Sequence, residues 1–219
     1  MSEKKIPDLV IFDMDGVLVN SEGAFRRACS EALEKWNVKA EYDEFQPFTG
    51  MGDEKYIGGV SESHGVPYVR EMTDVSYKLY AEYVKTELFV FPWSRKIIEK
   101  LSEAGYKVAV ASSAGQFKVE TNLNCVGVDT SLFTAVVSGS DVEKKKPAPD
   151  IFLKAAEKCA VDPCDCLVFE DAISGVKAAK AAGMFAVAVT SSFTAEELYE
   201  AGADFVCDDL MVAFDKFFA

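Results

Sequence analysis

Short apolar segments alternate with helical patterns along most of this chain, and that alternation restricts the folds it can adopt. Each segment is almost continuously apolar, rich in β-branched residues and bounded by turn residues. Strands with this pattern are buried on both faces, as in a parallel sheet that carries helices on either side. The pattern predicts strands at residues 9–12, 107–111, 135–138, 166–170 and 185–189, with 204–207 as a sixth candidate.

Helical patterns fill the intervals between these strands, and glycine closes several of them. Glycine is common just beyond the last residue of a helix because it adopts the left-handed conformation easily. The predicted helices span residues 94–104, 116–125, 149–158, 174–182 and 195–201. Alternating strands and helices are typical of the α/β class, so we expect a Rossmann-like parallel sheet core with helices on both faces.

One long stretch, from about residue 21 to residue 88, interrupts this alternation and shows no strand pattern. Helical patterns replace it at residues 22–36, 53–64 and 69–86. We therefore expect a small all-helical domain at residues 21–87. It would be inserted into a core domain made of residues 1–20 and 88–219, because the strand pattern resumes only after it.

The formal net charge of −13 narrows the functional class. A strongly acidic surface repels nucleic acid and anionic membranes, so neither is an expected partner. The first residues lack the apolar region of a signal peptide, and no apolar run reaches the roughly 18 residues that span a bilayer. With six scattered cysteines, we expect a cytoplasmic protein with reduced thiols, and a monomer is the default expectation.

In an open parallel sheet, ligands bind where the carboxyl ends of the strands meet, so the residues that follow each strand matter most. Acidic, hydroxyl and basic side chains follow four of the predicted strands: Asp13 and Asp15 the first, Ser112 and Ser113 the second, Lys144, Lys145 and Lys146 the third, and Glu170 and Asp171 the fourth. Two aspartates so close at the end of a buried strand repel each other unless a positive charge lies beside them. The agreement of four strand ends favours a catalytic site over a chance arrangement of turn residues.

These residue types suit phosphate chemistry with a divalent metal. Carboxylate oxygens are hard ligands for Mg²⁺, which keeps coordination positions open for water and a phosphate. Ser112 stands where a strand turns toward a helix N-terminus, a place that suits a phosphate oxygen. One carboxylate beside the metal can attack phosphorus, a second can exchange a proton with the leaving group, and a lysine can balance the charge.

Four motifs resemble those of the haloacid dehalogenase (HAD) superfamily and follow its order: DMDGV, ASSAG, KKPAPDIF and FEDAISGVKAAKAAGM. The resemblance covers nearly the whole chain. It is strongest to the β-phosphoglucomutase-like subfamily, which carries a helical cap between the first and second motifs. The resemblance therefore implies a phosphotransfer enzyme whose cap coincides with the helical insertion inferred above.

The same resemblance implies roles for the motif residues in catalysis and phosphate binding. Asp13 is the expected nucleophile, and Asp15 is the expected general acid/base. Ser112 and Lys146 are expected to bind phosphate, Lys146 being chosen from its run because it directly precedes proline. Further candidates for phosphate or substrate contacts are Gly16 and Ser113, with a structural role as the alternative for Ser113.

The resemblance also implies an Mg²⁺ cofactor and the residues that hold it. The expected ligands are Asp13, Asp171 and Asp15, the last of these through its backbone carbonyl. Glu170 is expected either as a further ligand or as a residue that supports the ligands.

The chain departs from the mutases of that subfamily at two cap positions. Aligned by eye, Phe25 replaces a histidine and Asp53 replaces an arginine. Both changes remove groups expected to hold or gate a sugar phosphate, so they favour a phosphatase over a mutase. We therefore expect Mg²⁺-dependent hydrolysis of a small phosphorylated metabolite, a phosphate monoester, through an aspartyl-phosphate. The alternatives are a β-phosphoglucomutase-type phosphomutase and a non-catalytic binding domain.

Substrate selectivity is expected to lie in the cap. The loop Gly50-Met51-Gly52 has no strand before it and the wrong spacing for a nucleotide-binding loop, so we predict that it faces the active site. The single histidine, His64, is predicted to lie at a helix end. Residues expected near the cap entrance are Glu22, Arg26, Thr49 and Lys55.

Overall fold

The computed structural model describes residues 7–218 and shows one large parallel sheet between helical layers. The strands are β1 (Leu9–Phe12), β2 (Val19–Asn20), β3 (Phe89–Val90), β4 (Lys107–Ala111), β5 (Ala135–Val137), β6 (Cys166–Glu170), β7 (Phe185–Val189) and β8 (Phe205–Cys207). The helices are α1 (Glu22–Leu33), α2 (Asp53–Ser63), α3 (Arg70–Glu87), α4 (Ser94–Glu103), α5 (Gln116–Val126), α6 (Asp150–Cys159), α7 (Ile173–Ala181), α8 (Ala195–Glu200) and α9 (Leu210–Phe218). None of these described helices is long and apolar enough to cross a membrane.

The large sheet has the strand order β5-β4-β1-β6-β7-β8, and every neighbouring pair is parallel. The predicted α/β class with a parallel sheet is thus confirmed. The chain builds from β1 through β4 to β5 and then crosses to β6 on the other side, so the strand order reverses beside β1. Doubly wound sheets bind ligands at such a reversal, at the carboxyl ends of the strands.

Side chains of β1 alternate between two apolar layers, and all four of its residues are fully buried. Val10 and Phe12 join the cluster that includes α4, α5 and α9, whereas Leu9 and Ile11 join the cluster that includes α6 and α7. On the first side, the rings of Phe12 and Phe169 stack with their centroids 5.1 Å apart. A strand covered on both sides has no polar face, which explains its continuous apolar sequence.

The helices α1, α2 and α3 share a third apolar cluster. The ring of Phe25 meets the ring of Tyr80 edge-on, with centroids 5.5 Å apart, and lies 5.6 Å from the ring of Tyr56. We propose that residues 21–87 form a cap domain, because an apolar cluster of its own allows this segment to move as a unit.

A short antiparallel ribbon joins the two connections between the sheet and the cap, and the sequence did not predict it. In this ribbon β2 pairs with β3, with Val19 opposite Val90. Beside it, the Ser94 hydroxyl at the start of α4 donates a 2.6 Å hydrogen bond to the Leu18 carbonyl. Two-residue strands are too short to show an alternating pattern, so their pairing becomes visible only in three dimensions.

Other differences from the sequence prediction are small. The third and sixth predicted strands are each one residue shorter in the structure, as β5 and β8. A 3₁₀ helix, Tyr42–Phe48, fills the interval between α1 and α2, where the sequence showed no clear pattern. Element ends are set by local hydrogen bonds, which hydrophobic periodicity does not resolve.

Replacing Phe169 by alanine should lower the free energy of unfolding by about 3–5 kcal/mol, because the ring is fully buried and stacked on Phe12. Urea denaturation measures this loss. The matched control is Phe185→Ala, since Phe185 is 40% exposed at the start of β7. Phe185→Ala should lower the free energy of unfolding by about 1 kcal/mol or less. Equal losses in the two variants would contradict a core packed on both faces of the sheet.

Candidate active site

A cavity lies at the carboxyl-terminal edge of the sheet, between the sheet and the cap. Its walls come from the segments that follow β1, β4, β6 and β7 and from the cap helices. About 90 Å³ is open to the centre of a water-sized sphere. One water needs at least about 10–15 Å³ on this measure, so the cavity has room for a few waters or one phosphate-sized group.

Lys146 binds two carboxylates beneath this cavity. Its ammonium donates to Asp13 Oδ1 at 2.5 Å and to Glu170 Oε1 at 2.6 Å, and it lies 3.4 Å from the carbonyl of Ala111. Lys146 is 2% exposed, so this charge is almost completely removed from water. Burial disfavours the cation, but the two carboxylates raise the pKa of Lys146 above its ordinary value. The lysine therefore stays charged and offsets the repulsion between the carboxylates.

The register of the sheet brings Asp13 and Glu170 together. Phe12 is aligned with Phe169, so the next residue of each strand, Asp13 and Glu170, emerges at the same level. Burial raises the pKa of Asp13 to about 7, although the charge of Lys146 opposes that rise. Asp13 is thus held by the fold in a place where its charge depends on a nearby cation.

Both oxygens of Glu170 are engaged. Oε1 accepts from Lys146, and Oε2 accepts from the backbone N–H groups of Asp171 at 2.7 Å and Ala172 at 2.8 Å. These amides lie at the start of α7, where the helix dipole favours a negative charge. The contacts fix the Glu170 carboxylate behind Asp13.

Asp171 lies close to Asp13, against the turn that follows β1. Burial raises the pKa of Asp171 well above its usual range, and the charges of Glu170 and Asp13 raise it further. Its Oδ2 accepts from the Ser192 hydroxyl. A Cβ atom on Gly16 would overlap the Asp171 carboxylate, and Gly16 also has a φ of +83°, so this turn requires glycine.

Three carboxylates of this cluster are arranged so that they could share one metal ion. One oxygen from each of Asp13, Glu170 and Asp171 lies within 4.8 Å of the others, and all three residues are buried. Carboxylate oxygens are hard donors of the kind that Mg²⁺ prefers. The mutual repulsion that raises the pKa of Asp171 would be relieved by a cation, so these residues fit a divalent metal.

The side chain of Asp15 lies apart from that cluster and lines the cavity. Its Oδ1 accepts from Asn122 Nδ2 at 3.1 Å and from the Ser21 hydroxyl, and its Oδ2 accepts from Lys118 Nζ at 2.8 Å. The Asp15 side chain is 29% exposed, compared with 9% for Asp13. Asp15 is therefore the carboxylate of the motif that is more open to a ligand in the cavity.

Ser112 and Ser113 follow β4 and both line the cavity. The Ser112 hydroxyl accepts from the backbone N–H of Ala114 at 3.2 Å. The backbone N–H of Ser112 donates to the carbonyl of Val137. The Ser113 hydroxyl is buried and has no hydrogen-bond partner among the described residues. Buried polar groups without partners are rare, so Ser113 is a second candidate hydroxyl for a ligand oxygen.

The cap residues named from the sequence lie at different distances from the cavity. Phe25, Glu22 and Thr49 line it. Arg26 pairs with Glu22 and donates to the Tyr56 hydroxyl at 3.3 Å, which keeps the charge of Arg26 inside the cap.

Two further cap residues named from the sequence do not line the cavity. Lys55 faces an outer groove and lies 3.8 Å from Glu62. His64 follows the last residue of α2 and contacts Glu44 at 3.0 Å, at a helix end as predicted.

The loop Gly50-Met51-Gly52 brings the cap against the core. A Cβ on Gly50 would lie 2.8 Å from Ala172 and Ser174, and one on Gly52 would lie 3.1 Å from the Ser113 carbonyl. Gly50 and Gly52 both line the cavity. This close approach closes the cavity on the cap side.

The sequence did not single out four residues that the structure places here: Lys118, Asn122, Ser191 and Ser192. Ser191 and Ser192 follow β7, and the Ser191 hydroxyl donates to the Gly16 carbonyl at 2.5 Å. The sequence analysis considered the residues that follow four of the predicted strands. The same consideration of the residues after the fifth predicted strand, β7 of the structure, would have found these serines. Lys118 and Asn122 are polar residues on the buried face of α5, a signal that needs the structure to be interpreted.

Replacing Lys146 by methionine should lower the free energy of unfolding by about 3–5 kcal/mol, because it leaves two buried carboxylates without their cation. Urea denaturation in EDTA measures the effect. The matched control is Lys144→Met, since Lys144 lies on the exposed side of the same run and should change stability by less than about 0.5 kcal/mol. A Lys146 variant as stable as the control would show that the buried cluster is not held by this lysine.

Comparison with known proteins shows the family to which this chain belongs. Residues 10–189 match the family model described as haloacid dehalogenase-like hydrolase. The chain is 39% identical over 211 residues to Protein SUPPRESSOR OF QUENCHING 1, chloroplastic, of Arabidopsis thaliana, a match that covers 92% of this chain and 19% of that protein. It is 31% identical over 211 residues to the bifunctional riboflavin kinase/FMN phosphatase of the same plant, covering 96% of this chain and 55% of the other.

A similar solved structure is that of a mutant form of CbbY from Rhodobacter sphaeroides in complex with xylulose-(1,5)bisphosphate. It superposes with a TM-score of 0.81 and is 25% identical, covering 93% of this chain and 95% of that one. The chain spans about a fifth and about half of the two plant relatives. The matched family model and the shared fold together establish that this chain belongs to the haloacid dehalogenase-like hydrolases.

Proposed function

We propose that this chain is an Mg²⁺-dependent phosphatase that hydrolyses a small phosphate monoester through an aspartyl-phosphate on Asp13. The observation that carries the proposal is the separation of two aspartates from one motif. Asp13 is held by Lys146 at the floor of the cavity, whereas Asp15 faces the cavity from the side. A nucleophile and a proton donor placed in this way can act on the same phosphate ester.

The metal would be held by Asp13, Asp171 and the backbone carbonyl of Asp15. Since both oxygens of Glu170 are engaged by Lys146 and two amides, we assign it a supporting role. When bound, Mg²⁺ would neutralise negative charge on the phosphate and on Asp13. Ser112 would donate a hydrogen bond to a phosphate oxygen.

Lys146 was expected from the sequence to bind phosphate. Its contacts in the structure support a different main task, because its ammonium is engaged by Asp13, Glu170 and the Ala111 carbonyl. We propose that it keeps the Asp13 carboxylate ionised and oriented. A phosphate seated on Asp13 would still lie close enough to gain from its charge.

In the first half of the reaction, a carboxylate oxygen of Asp13 attacks phosphorus in line with the ester oxygen. The bond from phosphorus to that ester oxygen breaks, and Asp15 gives its proton to the departing alkoxide. The products are a free alcohol and a phosphoryl group on Asp13. Asp15 is left ionised.

In the second half, a water molecule takes the place of the alcohol. Asp15 accepts one of its protons while its oxygen attacks the phosphorus of the aspartyl-phosphate. The bond from phosphorus to Asp13 breaks, inorganic phosphate leaves and both aspartates return to their starting forms.

The cap would control access to these steps. The cavity has room for little more than a phosphate, so a substrate with an organic group would need the cap to move away. Closure then excludes bulk water during phosphoryl transfer. Phe25 and Asp53 place a ring and a carboxylate where the mutases carry a histidine and an arginine, which favours release of phosphate over its return to a sugar.

The names of the relatives support a small phosphorylated substrate. One relative is named for FMN phosphatase activity, and the CbbY structure contains xylulose-(1,5)bisphosphate. The absence of nucleic-acid partners and the monomeric state stay predictions. Cytoplasmic location also stays a prediction, because one relative is named as chloroplastic.

With Mg²⁺ present, the protein should release inorganic phosphate from at least one member of a broad panel of phosphate monoesters. Asp13→Asn should lower this rate by on the order of 10³-fold or more, since it removes the nucleophile. The control, Asp43→Asn, changes an exposed aspartate of the cap and should leave the rate unchanged. Isomerisation of a sugar phosphate without phosphate release would show that the chain is a phosphomutase and not a phosphatase. If neither reaction occurred with any ester, the chain would be a binding domain without catalytic activity.

Chelation by EDTA should abolish phosphate release, and added Mg²⁺ should restore it. In Asp171→Asn, which keeps the shape of a buried ligand but removes its charge, the Mg²⁺ concentration for half-maximal rate should rise by about 10-fold or more. Titration of the rate with Mg²⁺ measures this shift, again with Asp43→Asn as the control. An unchanged titration curve would remove Asp171 from the metal site.

A further inference from the structure

Two buried charged groups next to the cavity have not been given a catalytic step: Lys118 of the core helix α5 and Asp53 of the cap helix α2. We propose that Lys118 is a positioning residue that holds Asp15 in place, and that Asp53 engages Lys118 and the start of α5 when the cap is closed. The assignment to Asp15 rests on the function proposed above. Cap closure and the placement of the acid/base would then be one event.

The contacts of Lys118 support the positioning role. Its side chain is only 6% exposed, yet its ammonium lies between two carboxylates, 2.8 Å from Asp15 Oδ2 and 3.9 Å from Asp53 Oδ1. The ring of Phe25 faces the same ammonium, 4.2 Å from it to the centroid. Burial disfavours the charged form, but the two aspartates raise the pKa of Lys118 above its ordinary value, so it remains a cation. One turn later on α5, Asn122 binds the other oxygen of Asp15.

The contacts of Asp53 join the cap to the core. Its Oδ2 accepts a 2.8 Å hydrogen bond from the backbone N–H of Gly115 and a 2.7 Å hydrogen bond from the Tyr77 hydroxyl. Gly115 directly precedes α5 and has no side chain with which to cap that helix. The carboxylate of Asp53 instead accepts from the N–H of Gly115 itself, at the N-terminal end of α5 where the helix dipole favours a negative charge.

These contacts change together when the cap moves. Asp53 and Tyr77 belong to the cap helices α2 and α3, whereas Gly115 and Lys118 belong to α5 of the core. Opening would separate Asp53 from both core partners and leave Lys118 with Asp15 alone. Closure would return a second carboxylate to Lys118 and fix the end of α5, so Asp15 would be held most firmly when bulk water is excluded. Since misplacement of a reacting group by about 1 Å can lower a rate by about 100-fold, this coupling matters for catalysis.

The first test separates positioning from stability. Lys118→Met should lower kcat for phosphate release by about 10- to 100-fold while KM changes less than about threefold, because the substrate still binds but Asp15 is no longer held. Lys154→Met is the matched control, since Lys154 pairs with Glu157 on the surface and should leave both constants unchanged. Rates are compared per mole of folded protein, as judged by circular dichroism.

Rescue of activity by an added amine, or by arginine at position 118, separates a positioning role of Lys118 from a purely structural one. Lys118 lines the cavity, so a small primary amine can enter in its place when the cap is open. Propylammonium added to Lys118→Ala should raise kcat by about fivefold or more, and Lys118→Arg should retain more activity than Lys118→Met. A loss that neither the amine nor arginine relieves would make the lysine structural, and a higher kcat in Lys118→Met would show that it restrains Asp15 instead. Either result would overturn the positioning role.

The second test examines the contact between the cap and α5 without any substrate. In Asp53→Ala, the backbone amide of Gly115 should exchange with deuterium about tenfold faster than in the unmodified protein, because its acceptor is lost. Asp43→Ala, an exposed cap substitution, is the control. Unchanged exchange at Gly115 would overturn the contact.

The two tests also separate this proposal from the function on which it rests. If the unmodified protein released no phosphate from any ester, the phosphatase and the positioning role would fall together. The exchange at Gly115 would still decide whether Asp53 joins the cap to α5. If phosphate release is normal and both tests fail, the positioning role of Lys118 and the contact of Asp53 with α5 are both wrong, and the phosphatase stands.

Discussion

The buried ammonium of Lys146 is the interaction on which the rest of this site depends. It lies between Asp13 and Glu170, and 133 positions of the chain separate it from Asp13. Without a cation, two carboxylates at adjacent strand ends would repel each other in a place that water hardly reaches. The fold can therefore concentrate acidic groups around Asp13 only because it also brings a lysine to the same point. A divalent metal held by Asp13 and Asp171 would add a second cation to this cluster.

The order of the strands explains why so many charged groups meet here. Because the chain turns back beside β1, the strand ends of β4 and β6 flank Asp13, and the loop after β7 reaches Asp171 through Ser192. The cap is inserted directly after the first motif, so its residues lie above the same sheet edge. One topological feature thus brings the proposed nucleophile, the proposed metal ligands and the cap together.

Much of this arrangement could be predicted from the sequence. The apolar run before Asp13 indicated a strand buried on both faces, and the structure places its side chains in two apolar layers. The carboxyl ends of parallel strands meet at one edge, so charged residues after several strands had to lie close together. The task of Lys146 was harder to predict. Its place near phosphate was expected, but its contacts with Asp13 and Glu170 depend on the register of β1 and β6.

The sequence by itself determined the fold class, the edge of the sheet that carries the site and the residue types suited to phosphate chemistry. These follow from periodicity and strand ends, which are local properties. Only the tertiary structure decided that Lys118 lies between Asp15 and Asp53, and that the cap carboxylate binds the start of α5. Those contacts join residues from three distant segments, and they form because a charge removed from water is stabilised by an opposite charge beside it. No pattern along the sequence predicts which of these distant residues come into contact.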